Sequence, residues 1–307
     1  MSILKVENLS ISFTPDTSGK KQNNHQVISS LTMTLEAGEI LAVVGASGSG
    51  KSLLAHAILG ILPSHANVSG TINYEGEALS DKKQAALRGK VMALVPQSVN
   101  FLDPLMRVGK QVRTSVKEGD RMAVQREVFE RYRLSEEVDS MYPFQLSGGM
   151  ARRVLLSTAM VSGAKVIIAD EPTPGLDEAV SKEALNHFRQ FADDGCAVML
   201  ITHDIESALT VADKIAVFYA GTIVEIAPAE HFVGRGEALR HPYSKALWRA
   251  LPQNDFIPVP GLQPHPSALP SGCLFEPRCE KATSECGKAQ PIMRNLRDGM
   301  VRCIHAT

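Results

Sequence analysis

Residues Gly45-Ala46-Ser47-Gly48-Ser49-Gly50-Lys51-Ser52 carry the pattern G-x-x-x-x-G-K-S. Glycines at these positions let backbone N–H groups turn inward around phosphate oxygens. A helix starting at the end of the loop adds a favourable dipole. Lys51 supplies a cation for β- and γ-phosphates, and the Ser52 hydroxyl is a ligand for Mg²⁺. A second chemical group lies far downstream, where Val166-Ile167-Ile168-Ala169 runs into Asp170-Glu171. Two carboxylates at the end of a buried strand suit Mg²⁺ binding by Asp170 and orientation of an attacking water by Glu171. His203, after another apolar run, is placed to contact a γ-phosphate.

These groups need a scaffold, and the apolar pattern supplies one. Ile3–Phe13 and Val27–Leu35 alternate as half-buried strands do, and residues Asp16 to Asn24 between them read as a polar loop. Ile40–Val44 is a continuous apolar run, as expected of a buried parallel strand. A helix over Ser52–Gly60 follows the glycine loop. The spacing predicts a helical region over Asp120–Asp139. Strands are expected at Val91–Val95, Val166–Ala169, Ala197–Ile201 and Lys214–Phe218, with helices over Glu178–Asp193 and Ile205–Ala212. Strands alternating with helices define an α/β parallel sheet. His56 reads as a packing residue and His187 as a solvated helix residue.

The chain has 307 residues, 32 Lys+Arg against 33 Asp+Glu, and 44% hydrophobic residues. That balance disfavours a nucleic-acid binder that relies on bulk positive charge and excludes a disordered chain. No apolar run approaches the roughly 20 residues of a spanning helix, and the N-terminus lacks the pattern of a secretion signal. Six prolines between Pro252 and Pro270 exclude regular helix or central strand there, and the segment reads as a semi-rigid linker. Beyond it Cys273, Cys279, Cys286 and Cys303 are spaced C-x5-C-x6-C-x16-C. Four soft ligands suit an iron–sulfur cluster or tetrahedral zinc; reduced thiols or disulfides are the alternatives. Cys196, at a strand start, reads as a buried residue.

Three further stretches resemble the ATP-binding cassette (ABC) proteins. Leu146-Ser147-Gly148-Gly149-Met150 is similar to their signature, Gln97 stands where they carry the Q-loop, and Pro174-Gly175-Leu176-Asp177 resembles the D-loop. The resemblance implies a P-loop NTPase cassette: a RecA-like core, an antiparallel β subdomain, and a helical signature subdomain over about residues 98–160. It covers residues 1–251, with a linker over 252–270 and a Cys-containing C-terminal tail over 271–307. It implies ATP and Mg²⁺, with Ser52, Gln97 and Asp170 around the metal and Glu171 and His203 as catalytic residues. Two cassettes would meet head to tail, so that Ser147, Gly148, Gly149 and Asp177 reach the nucleotide held by the opposite phosphate loop. Phe13 is either the aromatic that stacks on adenine or an inward-facing strand residue.

Smaller features resemble the di/oligopeptide and nickel import branch. They are Met150 in the signature, Tyr142-Pro143-Phe144-Gln145 before it, His241-Pro242-Tyr243-Ser244-Lys245-Ala246-Leu247, and the segments Gly272–Cys279 and Val301–Cys303. Some members of the branch hold a [4Fe–4S] cluster on such cysteines. The branch implies an ATPase subunit peripheral to the cytoplasmic face of the membrane. Its partners would be a second, paralogous ATPase subunit, two transmembrane permease subunits and, indirectly, a substrate-binding protein, with peptide or nickel and metal–chelate cargo. Soluble ABC ATPases of DNA repair or translation are the competing class. They usually carry two cassettes or long coiled-coil insertions, and this chain has one phosphate loop and no long heptad run. An exporter ATPase subunit is disfavoured by the tail. Two departures stand out: Thr173-Pro174-Gly175-Leu176-Asp177 replaces the usual Thr-Thr-Ala-Leu-Asp, and Ala151-Arg152-Arg153 replaces Arg-Gln-Arg.

Overall fold

A computed structural model describes residues 2–14 and 25–307. The loop expected over Asp16–Asn24 lies outside the described residues. In chain order the elements are β1 (Ser2–Phe13), β2 (His25–Glu36), β3 (Ile40–Val44), α1 (Lys51–Leu59), β4 (Ala66–Tyr74), β5 (Glu77–Ala78), α2 (Asp81–Leu87), β6 (Met92–Val95), α3 (Val108–Ser115) and α4 (Arg121–Arg131). There follow α5 (Gly148–Met160), β7 (Val166–Asp170), α6 (Glu178–Asp193), β8 (Ala197–Thr202), α7 (Ile205–Leu209), β9 (Lys214–Tyr219), β10 (Thr222–Pro228), α8 (Pro242–Arg249), β11 (Arg294–Leu296) and β12 (Gly299–Val301). The chain divides into two compact units, residues 1–36, 41–79 and 203–307 in one and 37–40 and 80–202 in the other.

The first unit contains an antiparallel sheet of order β2-β1-β4-β5. Alternation in β1 puts Leu4, Val6, Leu9 and Ile11 inside, all fully buried. β4 is different: Asn67 to Thr71 are exposed, and the strand is held by its register with β1, from Leu4 opposite Tyr74 to Phe13 opposite Ala66. The unit also carries the order β11-β12-β10-β9-β3. β3 and β9 are parallel, Leu41 opposite Lys214 and Val44 opposite Val217. β9 and β10 form a hairpin around Ala220 (φ 45°) and Gly221 (φ 86°). Two positive φ values in succession match the strand twist of a two-residue hairpin turn. β12 pairs with β10, Glu225 opposite Val301, which docks the tail on this sheet.

The second unit contains β8-β7-β6, parallel throughout, Val166 opposite Ala197 and Met92 opposite Val166. Every residue of β7 and β8 is buried, as expected of strands covered on both faces. Its helical part is α3, α4 and α5. α3 approaches the turn at residues 136–140 so closely that a Cβ on Gly109 would overlap the Asp139 carboxylate. Arg113 donates to both Asp139 and Gln125 and so ties α3 to α4.

Several elements depart from the sequence expectation. The helix expected over Asp120–Asp139 stops at Arg131, and residues 136–140 form a separate 3₁₀ turn. The helix expected to reach Ala212 ends at Leu209. His187 is not solvated: it is 4% exposed. Its Nδ1 lies 2.7 Å from the Tyr132 hydroxyl and its Nε2 2.8 Å from Arg131. A guanidinium only donates, so Nε2 accepts and the ring is neutral, with Nδ1–H donating to Tyr132. Burial, then the Arg131 charge, holds the His187 pKa below its ordinary value, against a smaller pull from Glu183. The 252–270 segment has no strand or α-helix, and its Val259 and Pro260 carbonyls accept hydrogen bonds from Arg278.

Candidate functional site

The phosphate loop leaves β3 after Val44 and enters α1 at Lys51. The glycines are dictated by space and angle. A Cβ on Gly45 would sit 2.4 Å from the Phe218 carbonyl oxygen of β9, inside contact distance. Gly48 and Gly50 take φ of 73° and 106°, a region costly for residues with side chains. The helix N-cap is Gly50, with no side-chain cap, so the first N–H groups of α1 are left to other acceptors. Lys51 is buried, and its Nζ donates to the carbonyls of Gly45 and Ala46, each at 2.9 Å. The ammonium is thus held over the mouth of the loop. The Ser49 hydroxyl is buried without a hydrogen-bond partner among the described residues, and Ser52 is half-buried. A loop built to present N–H groups and a buried cation suits a polyphosphate.

Elsewhere in the same unit Phe13 ends β1, half-buried, its ring 5.4 Å from His65. His203 is exposed after β8, and the next residue, Asp204, caps α7 by accepting from Ser207 N at 3.1 Å. The structure therefore puts His203 at a strand end, as expected.

In the second unit β7 ends at Asp170, 3% exposed, and Glu171, 7% exposed. Glu171 has φ of 49°, a strained value for a residue with a side chain, and its N–H is held by the Ile201 carbonyl at 2.9 Å. Strain of this kind persists where neighbours over-determine the backbone. Here a second neighbour is Arg152 of α5: it donates to the Glu171 carbonyl at 2.6 Å and to the Gln97 carbonyl at 3.0 Å. One guanidinium thus joins Gln97, Glu171 and helix α5. In sequence Arg152 is only a departure from Arg-Gln-Arg; its contacts are set by the fold.

The signature and the D-loop also meet within this unit. Ser147 caps α5, accepting from Met150 N at 3.2 Å, and Gly148 is open on all sides. A Cβ on Gly149 would come 3.3 Å from the Gly175 carbonyl. The substitution Pro174-Gly175 has a geometric reason. Leu176 N bonds the Thr173 carbonyl at 3.0 Å, and Gly175 has φ of 79°. Proline second and a positive-φ glycine third is the chemistry of a type II turn. Asp177 then caps α6 through Val180 N, and its carboxylate lies 3.6 Å from Arg153. The hydrogen bond from Val180, with help from Arg153, lowers the Asp177 pKa.

The four tail cysteines line one small cavity together with His241, Phe275, Pro291 and His305. None is in a disulfide. Burial pushes the Cys273 and Cys279 thiols up, opposed by N–H donors at Phe275 and Lys281 and reinforced by neighbouring tail sulfurs. Among the described residues no group of three or more His, Cys, Asp or Glu is arranged to hold a metal ion. The charge environment is nevertheless specific. Arg302 is 6% exposed, yet among the described residues its guanidinium meets only carbonyls: Ile223 at 3.3 Å, Pro291 at 3.0 Å and Ser30 at 2.7 Å. A buried cation ordinarily has an anion. The ionisable neighbour that favours its charge is Cys273. His241, wholly buried, accepts from Tyr243 N at 3.0 Å and is pushed down to about 3 by burial and by the Arg302 charge. Cys196, half-buried rather than buried, bonds the Ala164 carbonyl, and burial raises its pKa.

Comparison with known proteins defines the class first. Residues 28–174 match the ABC transporter family model, and residues 224–286 match the oligopeptide/dipeptide transporter C-terminal region. An ATP-binding cassette solved as a dimer with ADP and Pi has the same fold, with a TM-score of 0.64 at 23% identity, over 74% of this chain and 99% of that one. The chain is 32% identical to the dipeptide transport ATP-binding protein DppD of Escherichia coli, over 97% of this chain and 95% of that protein. It is also 32% identical to the oligopeptide transport ATP-binding protein OppD of Salmonella typhimurium, over 94% and 90% of the two chains. A putative peptide import ATP-binding protein of Brucella abortus is 33% identical over 98% and 94%. The chain belongs to the ABC transporter ATP-binding subunits, in the group whose members carry the oligopeptide/dipeptide C-terminal region. No helix among the described residues is long and apolar enough to cross a membrane.

Proposed function

We propose that this protein binds and hydrolyses ATP to energise import of peptides through a membrane permease. The observation that carries the reading is the loop at residues 45–52, where Gly45 has no room for a side chain and Lys51 is locked across the Gly45 and Ala46 carbonyls. The loop N–H groups and Lys51 take the β- and γ-phosphates. Ser52, Gln97 and Asp170 would hold Mg²⁺, which would neutralise phosphate charge. Glu171 orients the attacking water, His203 contacts the γ-phosphate, and Phe13 stacks on adenine. Ser147, Gly148, Gly149 and Asp177 contact the nucleotide of a second, paralogous ATPase subunit. Nucleotide closes the pair and hydrolysis opens it, which drives two permease subunits supplied by a binding protein. The work is done at the cytoplasmic face of the membrane. Peptide cargo is favoured over nickel because the relatives named above are dipeptide, oligopeptide and peptide import subunits.

The test is Glu171→Gln in the assembled transporter. ATP binding should persist while turnover falls about 10²–10⁴-fold, the range for loss of a general base. Wild type in proteoliposomes should take up a labelled dipeptide only with ATP present. Uptake that is indifferent to the Glu171→Gln change would refute the reading.

For the tail, we propose that Cys273, Cys279, Cys286 and Cys303 hold a [4Fe–4S] cluster as thiolates. The donor set is soft and all four face one cavity. Arg302 supports an anionic group beside Cys273. The free space between them is about 10 Å³, room for about one water. When bound, the cluster supplies one-electron chemistry and a cross-link among four chain positions. Iron and acid-labile sulfide in anaerobically purified protein test this; zinc alone, or neither element, would overturn it.

A further inference from the structure

Gln97 and Glu171 leave neighbouring strands side by side. β6 and β7 run parallel, their last pair is Val95 opposite Ala169, and each of the two residues stands two positions beyond that pair. Their carbonyls lie outside the β6–β7 ladder, and Arg152 of α5 serves both. Its Nη1 donates to the Glu171 carbonyl at 2.6 Å and its Nη2 to the Gln97 carbonyl at 3.0 Å. The bonds use the two terminal nitrogens of one planar fork, so the two carbonyls are also held at a fixed separation. Glu171 needs such a hold. Its φ is 49°, and Pro172 follows it, which favours extended backbone at the residue before. The Ile201 carbonyl pins its N–H at 2.9 Å, and Arg152 pins its carbonyl. With the peptide groups on both sides of Cα fixed, the direction of Cβ is fixed too.

We infer that Arg152 is a positioning residue for ATP hydrolysis: it holds the Glu171 backbone in its strained conformation and sets the Glu171 side chain relative to Gln97. This rests on the reading of Glu171 given above. Arg152 acts through the backbone and needs no contact with nucleotide. The role needs a fork rather than a charge. A lysine at this place keeps the cation but offers one nitrogen, and a glutamine, the residue of the Arg-Gln-Arg pattern, likewise offers one.

The experiment places Arg152→Met, Arg152→Lys and Arg152→Gln in the assembled transporter, each in the wild-type and the Glu171→Gln background. Arg152→Met should lower kcat about 10²-fold, the cost of a displacement near 1 Å. Its KM and its ATP affinity by calorimetry should stay within about twofold, because binding is left intact. Arg152→Lys and Arg152→Gln should recover only part of kcat. Without nucleotide, peptides carrying Gln97 and Glu171 should exchange their amide hydrogens faster in Arg152→Met than in wild type. In the Glu171→Gln background the same substitution should leave the residual rate within about twofold, since residues that act as a unit are not additive. An unchanged kcat in Arg152→Met, or an equal further fall in the Glu171→Gln background, would refute positioning through Glu171. So would a loss of ATP affinity in proportion to kcat. If Arg152→Met does not fold, Arg152→Lys and Arg152→Gln carry the same comparison. Wild-type turnover in Glu171→Gln would remove the reading of Glu171 and this role together. An inactive Glu171→Gln beside a fully active Arg152→Met would remove this role alone.

Discussion

The phosphate loop and the thiol tail belong to the same compact unit but are built by opposite means. The loop is made of backbone. Eight consecutive residues suffice, three of them glycines, and its cation is fixed by two carbonyls of its own loop. The tail is made of side chains from distant positions: four cysteines spread over 31 residues, the Arg302 guanidinium, and a histidine before α8. A backbone site is sensitive to added volume. A side-chain site is sensitive to charge and proton count.

Adding volume to the loop should have the largest effect. Gly45→Ala places a methyl 2.4 Å from the Phe218 carbonyl and must displace either the loop or β9. A displacement near 1 Å costs about 10²-fold in function. ATP affinity, measured by calorimetry, should fall by about that factor. A variant with wild-type affinity would show that the loop is less constrained than the contact with β9 implies.

Removing charge from the tail comes next. Arg302→Met strands the Ile223, Pro291 and Ser30 carbonyls. Stranding a buried polar group costs about 1–3 kcal/mol. Urea unfolding should show a loss of roughly 3 kcal/mol, while ATP affinity at the loop stays within twofold or so. Equal losses at both sites would erase the contrast between them.

A smaller effect concerns protons. His241 titrates in the folded tail at about 3, below its unfolded value. The unfolded chain therefore binds the extra proton between roughly pH 6.5 and 3. Stability from this group is fully present above about pH 6.5 and is lost as pH falls, by up to about 1.4 kcal/mol per pH unit. His241→Asn keeps a capping acceptor and should flatten that part of the curve in thermal melts taken from pH 7 to pH 4. An unchanged slope would show that the buried imidazole does not set it.

The smallest expected effect falls on a backbone feature outside both sites. Gly175→Ala forces a side chain into φ of 79° in the D-loop turn. The cost should be about 1 kcal/mol, seen as a small drop in melting temperature.

The same contrast explains what was legible in the sequence. The loop is contiguous, so its motif, its strand and its helix could be read together. Helix α6 lies over Glu178–Asp193 as the alternation of apolar runs and helical segments implies, and the structure adds its Asp177 cap. β4 was invisible because five of its residues face solvent and only pairing with β1 makes it a strand. β10 was missed although it is almost wholly buried; it carries Glu225, a charged residue that reads as surface. The fold satisfies that carboxylate with the N–H groups of Arg240 and His241, a contact across 15 residues that no local pattern announces. His187 was misjudged for a related reason: its partners Tyr132 and Arg131 lie more than 50 residues away. Arg152 and Arg302 make contacts set wholly by three-dimensional neighbours.

The pairing of β3 with β9 also has a consequence for biosynthesis. Strand 40–44 cannot find its parallel neighbour until residues 214–217 have left the ribosome, and Gly45 meets the Phe218 carbonyl only after that. Contacts so distant along the chain form late. A nascent polypeptide therefore carries this strand without its parallel neighbour for most of its synthesis.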